Sequence, residues 1–243
     1  KNSNDWQGGY RIMFVFQLAL TLMCFLSIPV WKKVKEQKAE EEETKVVSIS
    51  KLLKIPIARS SLIIYFGSCA IESVCLAWGS TFLVNSKNLT PDKAAQMITF
   101  YFIGMTIGRF VSGVIVNRFN PKNIIVIGEL IVFVAIIMTF SKNYYVASAG
   151  LFLIGLGNGP VFPNMTHLTP VHMGREISQS FIGLQGAVSY CSILLSPITF
   201  GLLAERFSTD IFSAFQIIAF IMTAIPTFVM LKQSKQIQPM VEK

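Results

Sequence analysis

Charged residues are scarce in this 243-residue chain. Asp, Glu, Lys and Arg make up 14% of it, against about 25% in soluble globular domains. Hydrophobic residues make up 52%, including 20 Phe, and this excess favours an integral membrane protein over a soluble domain. The net charge of +8 comes from short basic clusters between apolar runs. That arrangement indicates contact with lipid headgroups rather than with nucleic acid.

Cysteine and histidine are also few, with four and two residues. The cysteines lie inside apolar segments and form no CxxC pair, so we interpret them as packing residues. His167 and His172 fall in a stretch that we expect to be a cytoplasmic loop, too irregular for a metal site. The sequence contains no nucleophile elbow, phosphate loop or metal-ligand cluster. We therefore expect neither an enzyme nor a bound cofactor or metal.

Seven apolar runs are long enough to cross a membrane, since a helix needs roughly 20 residues to span the hydrocarbon layer. They are predicted at residues 10–31, 60–84, 94–116, 123–141, 145–166, 178–203 and 210–231. The connections after the second run are short, so we expect consecutive helices to be antiparallel neighbours. The sequence predicts an all-α membrane protein with seven spans.

Residues 32–59 form the one long connection. This segment begins basic, turns acidic at residues 40–43 and ends in an amphipathic stretch around residues 51–59. We interpret it as a charged linker with a short surface helix. A cytoplasmic linker puts 15 of the 21 Lys and Arg residues on that side of the membrane. The positive-inside rule therefore predicts that the linker and the C-terminal tail, 232–243, are cytoplasmic.

The order of the segments is one span, the linker and six compact spans. An odd number of spans with an outside N-terminus fits a six-helix bundle cut before its last helix, residues 1–31, followed by a complete bundle at 60–231. Lys1 is not a methionine and no signal peptide precedes the first run, so we expect the chain to begin within a longer protein. Spans two to four and five to seven are compatible with a 3+3 inverted repeat.

The third span ends in YFIGMTIGRFVSGVIVNRFNPKN, residues 101–123. Gly104 and Gly108 form a GxxxG motif that allows two helices to approach closely. Arg109 and Glu129, on consecutive spans, both lie roughly 10 Å deep at 1.5 Å per residue. Because an intramembrane charge needs a partner or an aqueous cavity, we predict an Arg109–Glu129 salt bridge that acts as a structural or gating latch, with Arg118 in the adjoining turn. Helix packing with a positive-inside anchor is the alternative.

Glu72 is the other intramembrane acid, and it lies at the middle of the second span. In a hydrated cavity its carboxylate would exchange protons or accept hydrogen bonds from a ligand, so we predict a role in substrate binding and proton coupling. A buried hydrogen-bond partner is the alternative. Trp78 follows on the same span, where its indole could stack on a ligand ring or pack in the core.

Polar residues recur along one face of the sixth span. They are Ser178, Gln185, Ser189, Ser192 and Ser196. Such a stripe either hydrogen-bonds neighbouring helices or lines a water-filled path. Gln185 is the best ligand candidate on this span, and Tyr190, on another face, is a weaker one.

The fifth span contains GLGNGPVFPN, residues 155–164. Within a membrane, Gly and Pro are tolerated where the freed backbone groups are buried in protein or face a cavity. Discontinuous helices near the midplane build transporter binding sites, so Asn158 and Asn164 are predicted to bind substrate beside unpaired carbonyls. A proline kink satisfied by the asparagines is the alternative.

Three stretches of the sequence resemble the major facilitator superfamily. GMTIGRFVSGVIVNRFN is similar to the loop motif joining helices eight and nine of that family. IGLGNGPVFPNMTHLTPVHMGREISQSFIGLQGAVSYCSILLSPITFGLLAE resembles its fucose and hexose proton symporter branch, and IESVCLAWGSTFLV resembles its acid-bearing helix seven. On this resemblance the seven spans are helices six to twelve.

The resemblance implies transport by alternating access, with a central site between two six-helix bundles. It places Glu72, Trp78, Asn158, Asn164 and Gln185 on helices that border the cavity. The expected partners are a sugar, protons, the bilayer and the missing N-terminal half, and the expected location is the bacterial plasma membrane. Asn117 stands where the loop motif often has an acid, so a charge latch there would need another group such as Glu129.

Two other functions fit parts of the pattern. An exporter of drugs or metabolites would have the same fold. A seven-helix receptor would have the same topology, but the last span has no interior lysine for a retinal Schiff base and the longest loop follows the first span. We therefore expect a secondary transporter that carries out proton-coupled sugar symport.

Overall fold

The computed structural model describes residues 6–39 and 47–241, and these residues are almost entirely helical. They form nine α-helices and one 3₁₀ turn, Thr209–Ile211, with no β-strand in the described part of the chain. The helices are α1 Trp6–Ala39, α2 Ile49–Leu52, α3 Pro56–Lys87, α4 Pro91–Ile115, α5 Pro121–Thr139, α6 Tyr144–Asn158, α7 Val161–Met173, α8 Arg175–Phe207 and α9 Phe212–Val241.

Seven segments among these helices are long and apolar enough to cross a membrane. They are Gln7–Lys33, Pro56–Lys87, Pro91–Ile115, Pro121–Thr139, Tyr144–Met173, Glu176–Phe207 and Thr209–Ser234. Each contains most of one predicted span, so the predicted all-α membrane fold with seven spans is confirmed. The fifth segment consists of α6 and α7 together.

Proline and asparagine set several helix ends. Pro56, Pro91 and Pro121 occupy the first turns of α3, α4 and α5, where the missing N–H costs no helical hydrogen bond. The side chain of Asn120 accepts a hydrogen bond from the backbone N–H of Lys122 at 3.0 Å and so caps α5. At the other end of α3, Asn88 adopts a left-handed conformation with φ 57° and terminates the helix.

The chain divides into two compact units, Lys1–Thr44 and Lys45–Lys243. The first contains α1, whose large apolar side chains between residues 10 and 31 are exposed. The second contains α2 to α9. Short α2 buries Leu52 against Leu62 of α3 and Phe181 of α8, so the amphipathic stretch predicted at 51–59 is a four-residue helix followed directly by α3. Residues 40–46, the acidic part of the linker, lie outside the described residues.

Helix α3 lies at the centre of the second unit and packs against α4, α6, α8 and α9. Helix α6 lies between α4 and α5 and packs against both. A Cβ atom at Gly104 or Gly108 would clash with the carbonyl oxygen of Phe152 or Leu156 on α6. The GxxxG motif therefore brings the backbones of α4 and α6 together, as the sequence predicted.

The helix pairings match between the two triplets of spans. In the first triplet, α3 packs against α8 and α9 of the second triplet. In the second triplet, α6 packs against α4 and α5 of the first, and α7 also packs against α5. The first span of each triplet thus packs against the second and third spans of the other triplet. This is the pairing that a 3+3 inverted repeat produces.

The ends of the spans fall into two sets. The linker end of the unit is the one at which α3, α5 and α8 begin, and the opposite end is the one at which they finish. Lys122 of α5 donates a hydrogen bond to Ser234 of α9 at the linker end, and Ser86 of α3 bonds Thr209 at the opposite end.

Candidate functional site

An ion pair joins α3 and α4 near the middle of the unit. Nη2 of Arg109 lies 3.2 Å from each carboxylate oxygen of Glu72. The two side chains are 46% and 25% exposed, so the pair lies at the surface of the unit rather than in its core. A charge pair at this depth is too costly to face lipid tails. We therefore expect it to face an aqueous cavity or another part of the protein.

The predicted Arg109–Glu129 salt bridge is wrong. Glu129 is 8% exposed and accepts a hydrogen bond of 2.6 Å from the hydroxyl of Thr227 on α9. Helix α6 packs between α4 and α5, so these two helices do not bring Arg109 and Glu129 together. Glu129 thus ties α5 to α9, and the partner of Arg109 is Glu72.

A cavity of about 180 Å³ opens beside Arg109, between α4 and α7. We call it the α4–α7 pocket; its walls include Arg109, Ser112, Gly113, Asn164 and His167. It extends from the ion pair towards the linker end, because α4 and α7 both run in that direction after these residues. His167 and His172, predicted to lie in a loop, both belong to α7.

Asn164 is 2% exposed, and its amide nitrogen donates to Ser112 at 2.6 Å and to the carbonyl of Pro160 at 2.7 Å. The second bond satisfies a carbonyl near the junction of α6 and α7. Oδ1 of Asn164 is buried and accepts no hydrogen bond within the described residues. One predicted ligand group therefore retains an unused acceptor beside a cavity.

Asn158 has a different role. Its Oδ1 accepts a hydrogen bond from the hydroxyl of Ser68 at 2.9 Å, and its Nδ2 donates to the carbonyl of Ser68 at 3.0 Å. Both amide atoms are thus used between α6 and α3. The backbone at Gly159 and Pro160 stays in the right-handed helical region. The chain therefore continues in helical conformation through Gly159 and Pro160, and Asn158 ties this segment to α3.

Gln185 is 2% exposed and completes a hydrogen-bond network. Its Nε2 donates to Ser61 of α3 at 3.1 Å and to Thr169 of α7 at 3.0 Å. Ser192 donates to the carbonyl of Phe66 at 2.6 Å. The polar stripe of α8 thus faces its neighbouring helices, and Gln185 links α8 to two of them, α3 and α7. Tyr190 is 75% exposed and lies away from this network.

Trp78 is fixed by α8. Its indole N–H donates to the carbonyl of Pro197 at 3.0 Å, and its ring packs edge-on against Phe200. The remaining side of the indole lines a groove of about 680 Å³ between α3 and α8, near the opposite end of the unit. Asn85 and Glu205 line the same groove.

A polar cluster at the linker end was not found from the sequence. Nζ of Lys122 donates to Ser234 at 2.5 Å, and Ser234 lies 3.3 Å from Nε2 of His172. It joins α5, α7 and α9. Since its members lie far apart in the chain, the sequence offered only the positions of the helix ends as a hint. Arg118, the third predicted latch residue, lies exposed in the turn after α4.

A comparison to known families agrees with the seven-span helical architecture. The model of the Major Facilitator Superfamily matches residues 3–197 and again residues 61–237. The chain belongs to the Major Facilitator Superfamily. Members of this family are transporters that move small molecules across membranes, not enzymes.

The chain is also similar to a niacin transporter of Acinetobacter baylyi, with 29% identity over 116 residues. The match covers 47% of this chain and 26% of the relative, so the chain matches about a quarter of that protein's length. The superfamily named from the sequence is therefore correct. The relative found carries niacin, whereas the resemblance pointed to the sugar symporter branch.

Proposed function

We propose that this chain belongs to a secondary active transporter that carries a small organic anion by alternating access, coupled to protons. The observation that carries the proposal is the Glu72–Arg109 ion pair, which joins the middle of α3 to α4 and is partly exposed. Niacin, the substrate named for the relative, is a single-ring carboxylic acid, which an arginine is suited to bind.

In this proposal the ion pair supplies both a group that binds the anion, Arg109, and a group that exchanges a proton, Glu72. A guanidinium group has five N–H donors in a planar fork, and only Nη2 of Arg109 engages Glu72 in the described structure. Protonation of Glu72 would weaken its hold on Arg109 and allow a substrate carboxylate to bind. An anion entering next to a neutral ion pair adds one negative charge, and one proton on Glu72 restores neutrality. This exchange couples the substrate to a proton.

The charged and titratable groups around Glu72 are few. Arg109 and Tyr101 approach it from α4, and Cys69 and Cys75 lie on its own helix. Arg109 is the one basic side chain among these groups, which is why we assign the coupling to this pair.

The complete transporter contains more than this chain in our proposal. We infer that α1 is the last helix of an N-terminal six-helix bundle and that α3 to α9 form the C-terminal bundle. Basic residues at the linker end, with Arg59, Arg118 and Lys122 among them, favour a cytoplasmic linker and C-terminus in a bacterial plasma membrane.

Sugar–proton symport, expected from the resemblance, is the second candidate. The observation that favours it is the groove at Trp78, where an aromatic face lies beside Asn85 and Glu205. Aromatic faces and hydrogen-bonding side chains together suit a sugar ring. The amides of Asn158 and the Nε2 of Gln185 are already bonded to protein groups, which weakens this candidate.

Uptake by the complete transporter in proteoliposomes distinguishes anion transport from sugar–proton symport. With an inwardly directed proton gradient, we expect accumulation of radiolabelled nicotinate but not of L-fucose, and we expect Arg109→Gln to abolish it while Trp78→Phe does not. Accumulation of L-fucose that depends on Trp78 and not on Arg109 would overturn the anion proposal. Nicotinate efflux under an outward gradient alone would identify an exporter.

A further inference from the structure

The α4–α7 pocket has space for a ligand. Its volume of about 180 Å³ is room for about six water molecules, enough for a single six-membered ring bearing a carboxylate. Arg109 forms the wall of the pocket nearest to Glu72, and Gly113 leaves its middle open, because a Cβ atom there would meet no atom within 4 Å.

The polar atoms of the pocket suit an acid with a polar ring. Nε and Nη1 of Arg109 are the donors that Glu72 does not use. Ser112 receives a hydrogen bond from Asn164, so its own O–H is available as a donor. Oδ1 of Asn164 is buried without a hydrogen bond from the described residues, and a buried acceptor of this kind calls for a ligand or water.

We infer that the α4–α7 pocket is a substrate subsite on the linker-end side of the ion pair, in which Arg109 holds the carboxylate of a single-ring acid while Ser112, Asn164 and His167 contact the ring. The inference rests on the proposed transport of an organic anion and adds where that anion binds. Arg109 then contacts Glu72 and the substrate with different nitrogen atoms. The substrate thus passes the ion pair on the α4 and α7 side of the bundle.

Glycine substitutions test the inference without removing any polar contact. Gly113→Ala and Gly113→Leu place progressively larger side chains in the pocket. Gly183→Leu on α8 is the matched control, because a Cβ atom at Gly183 also meets nothing within 4 Å and this residue does not line the pocket. Equilibrium binding of radiolabelled nicotinate to the purified complete transporter is measured for all three variants and the wild type, together with the thermal unfolding midpoint.

We expect Gly113→Leu to raise the Kd for nicotinate by about tenfold or more, Gly113→Ala to have an intermediate effect, and Gly183→Leu to match the wild type. Unfolding midpoints of the Gly113 variants should stay at or above that of the wild type. If wild-type protein binds nicotinate and Gly113→Leu binds it equally well, the pocket is not the subsite, although anion transport stands. If the wild type itself binds no nicotinate, the proposed function and the inference both fail.

Discussion

Nη2 of Arg109 lies 3.2 Å from both carboxylate oxygens of Glu72, which joins the middle of α3 to the linker-end half of α4. Sequence reasoning assigned each residue a role but paired neither with the other. The contact combines a proton-exchanging acid and an anion-binding base in one group. That combination makes the pair the centre of the proposed mechanism.

The pair should be coupled energetically. Arg109→Ala leaves the Glu72 carboxylate without its partner. Because the two side chains are partly exposed, we expect a loss of about 1–3 kcal/mol in the free energy of unfolding, below the ~3–5 kcal/mol of a fully buried pair. The double variant Arg109→Ala with Glu72→Gln should be more stable than Arg109→Ala alone. Thermal unfolding in detergent of the two single variants and the double variant measures this coupling. If the effects of the two substitutions on stability were additive, the ion pair would not stabilise the fold.

Gly104 and Gly113 lie on the same helix, but Gly104 is tightly packed against a neighbouring helix and Gly113 is not. A Cβ atom at Gly104 would clash with the carbonyl of Phe152, whereas at Gly113 it would meet open space. We expect Gly104→Ala to destabilise the protein by about 1–3 kcal/mol and Gly113→Ala to stabilise it by up to about 1 kcal/mol. Unfolding midpoints of the two variants should therefore move in opposite directions. A common direction would contradict the close approach of α4 and α6.

Glu129 should be dispensable for coupling. Its carboxylate is bonded to Thr227 inside the bundle, away from the ion pair, and Glu129→Gln preserves an oxygen acceptor for that hydroxyl. We expect normal proton-driven uptake from Glu129→Gln. Thr227→Val, which leaves the acid without its donor, should cost about 1–3 kcal/mol of stability. Loss of gradient-driven uptake in Glu129→Gln would indicate that Glu129 on α5, and not Glu72, exchanges the proton.

Asn158 should matter for stability and not for substrate affinity. It exchanges two hydrogen bonds with Ser68 in the interior. We expect Asn158→Ala to lower the free energy of unfolding by about 1–3 kcal/mol and to leave the KM for nicotinate unchanged in the folded fraction. A raised KM at unchanged stability would indicate that Asn158 binds the substrate.

The position of a residue along its helix was predictable from the sequence, whereas the direction in which its side chain points was not. Counting residues from the span ends placed Glu72 at mid-depth and set Arg109 and Glu129 at similar depths. The step that failed was the assumption that consecutive spans pack together. Close approach through Gly104, Gly108 and Gly128 inserts α6 between α4 and α5, and this tertiary arrangement cannot be read from local patterns.

Polar residues showed the same limit. A repeat of small polar groups on α8 indicated that one face is polar, but it left open whether water or protein lies opposite. Partners of Gln185 are Ser61 and Thr169, which lie on two other helices and had no distinguishing pattern of their own. Asn158 and Asn164 looked equivalent in GLGNGPVFPN, yet Asn164 lines the α4–α7 pocket whereas both amide atoms of Asn158 bond to Ser68.

The most direct test of the mechanism compares two transport modes of the complete transporter in proteoliposomes, for the wild type and Glu72→Gln. Uptake of nicotinate driven by a proton gradient requires Glu72 to exchange a proton, whereas counterflow of nicotinate requires only binding and alternating access. We predict that Glu72→Gln loses gradient-driven uptake and retains counterflow. If both modes persist at wild-type levels, Glu72 is structural and the coupling acid lies elsewhere.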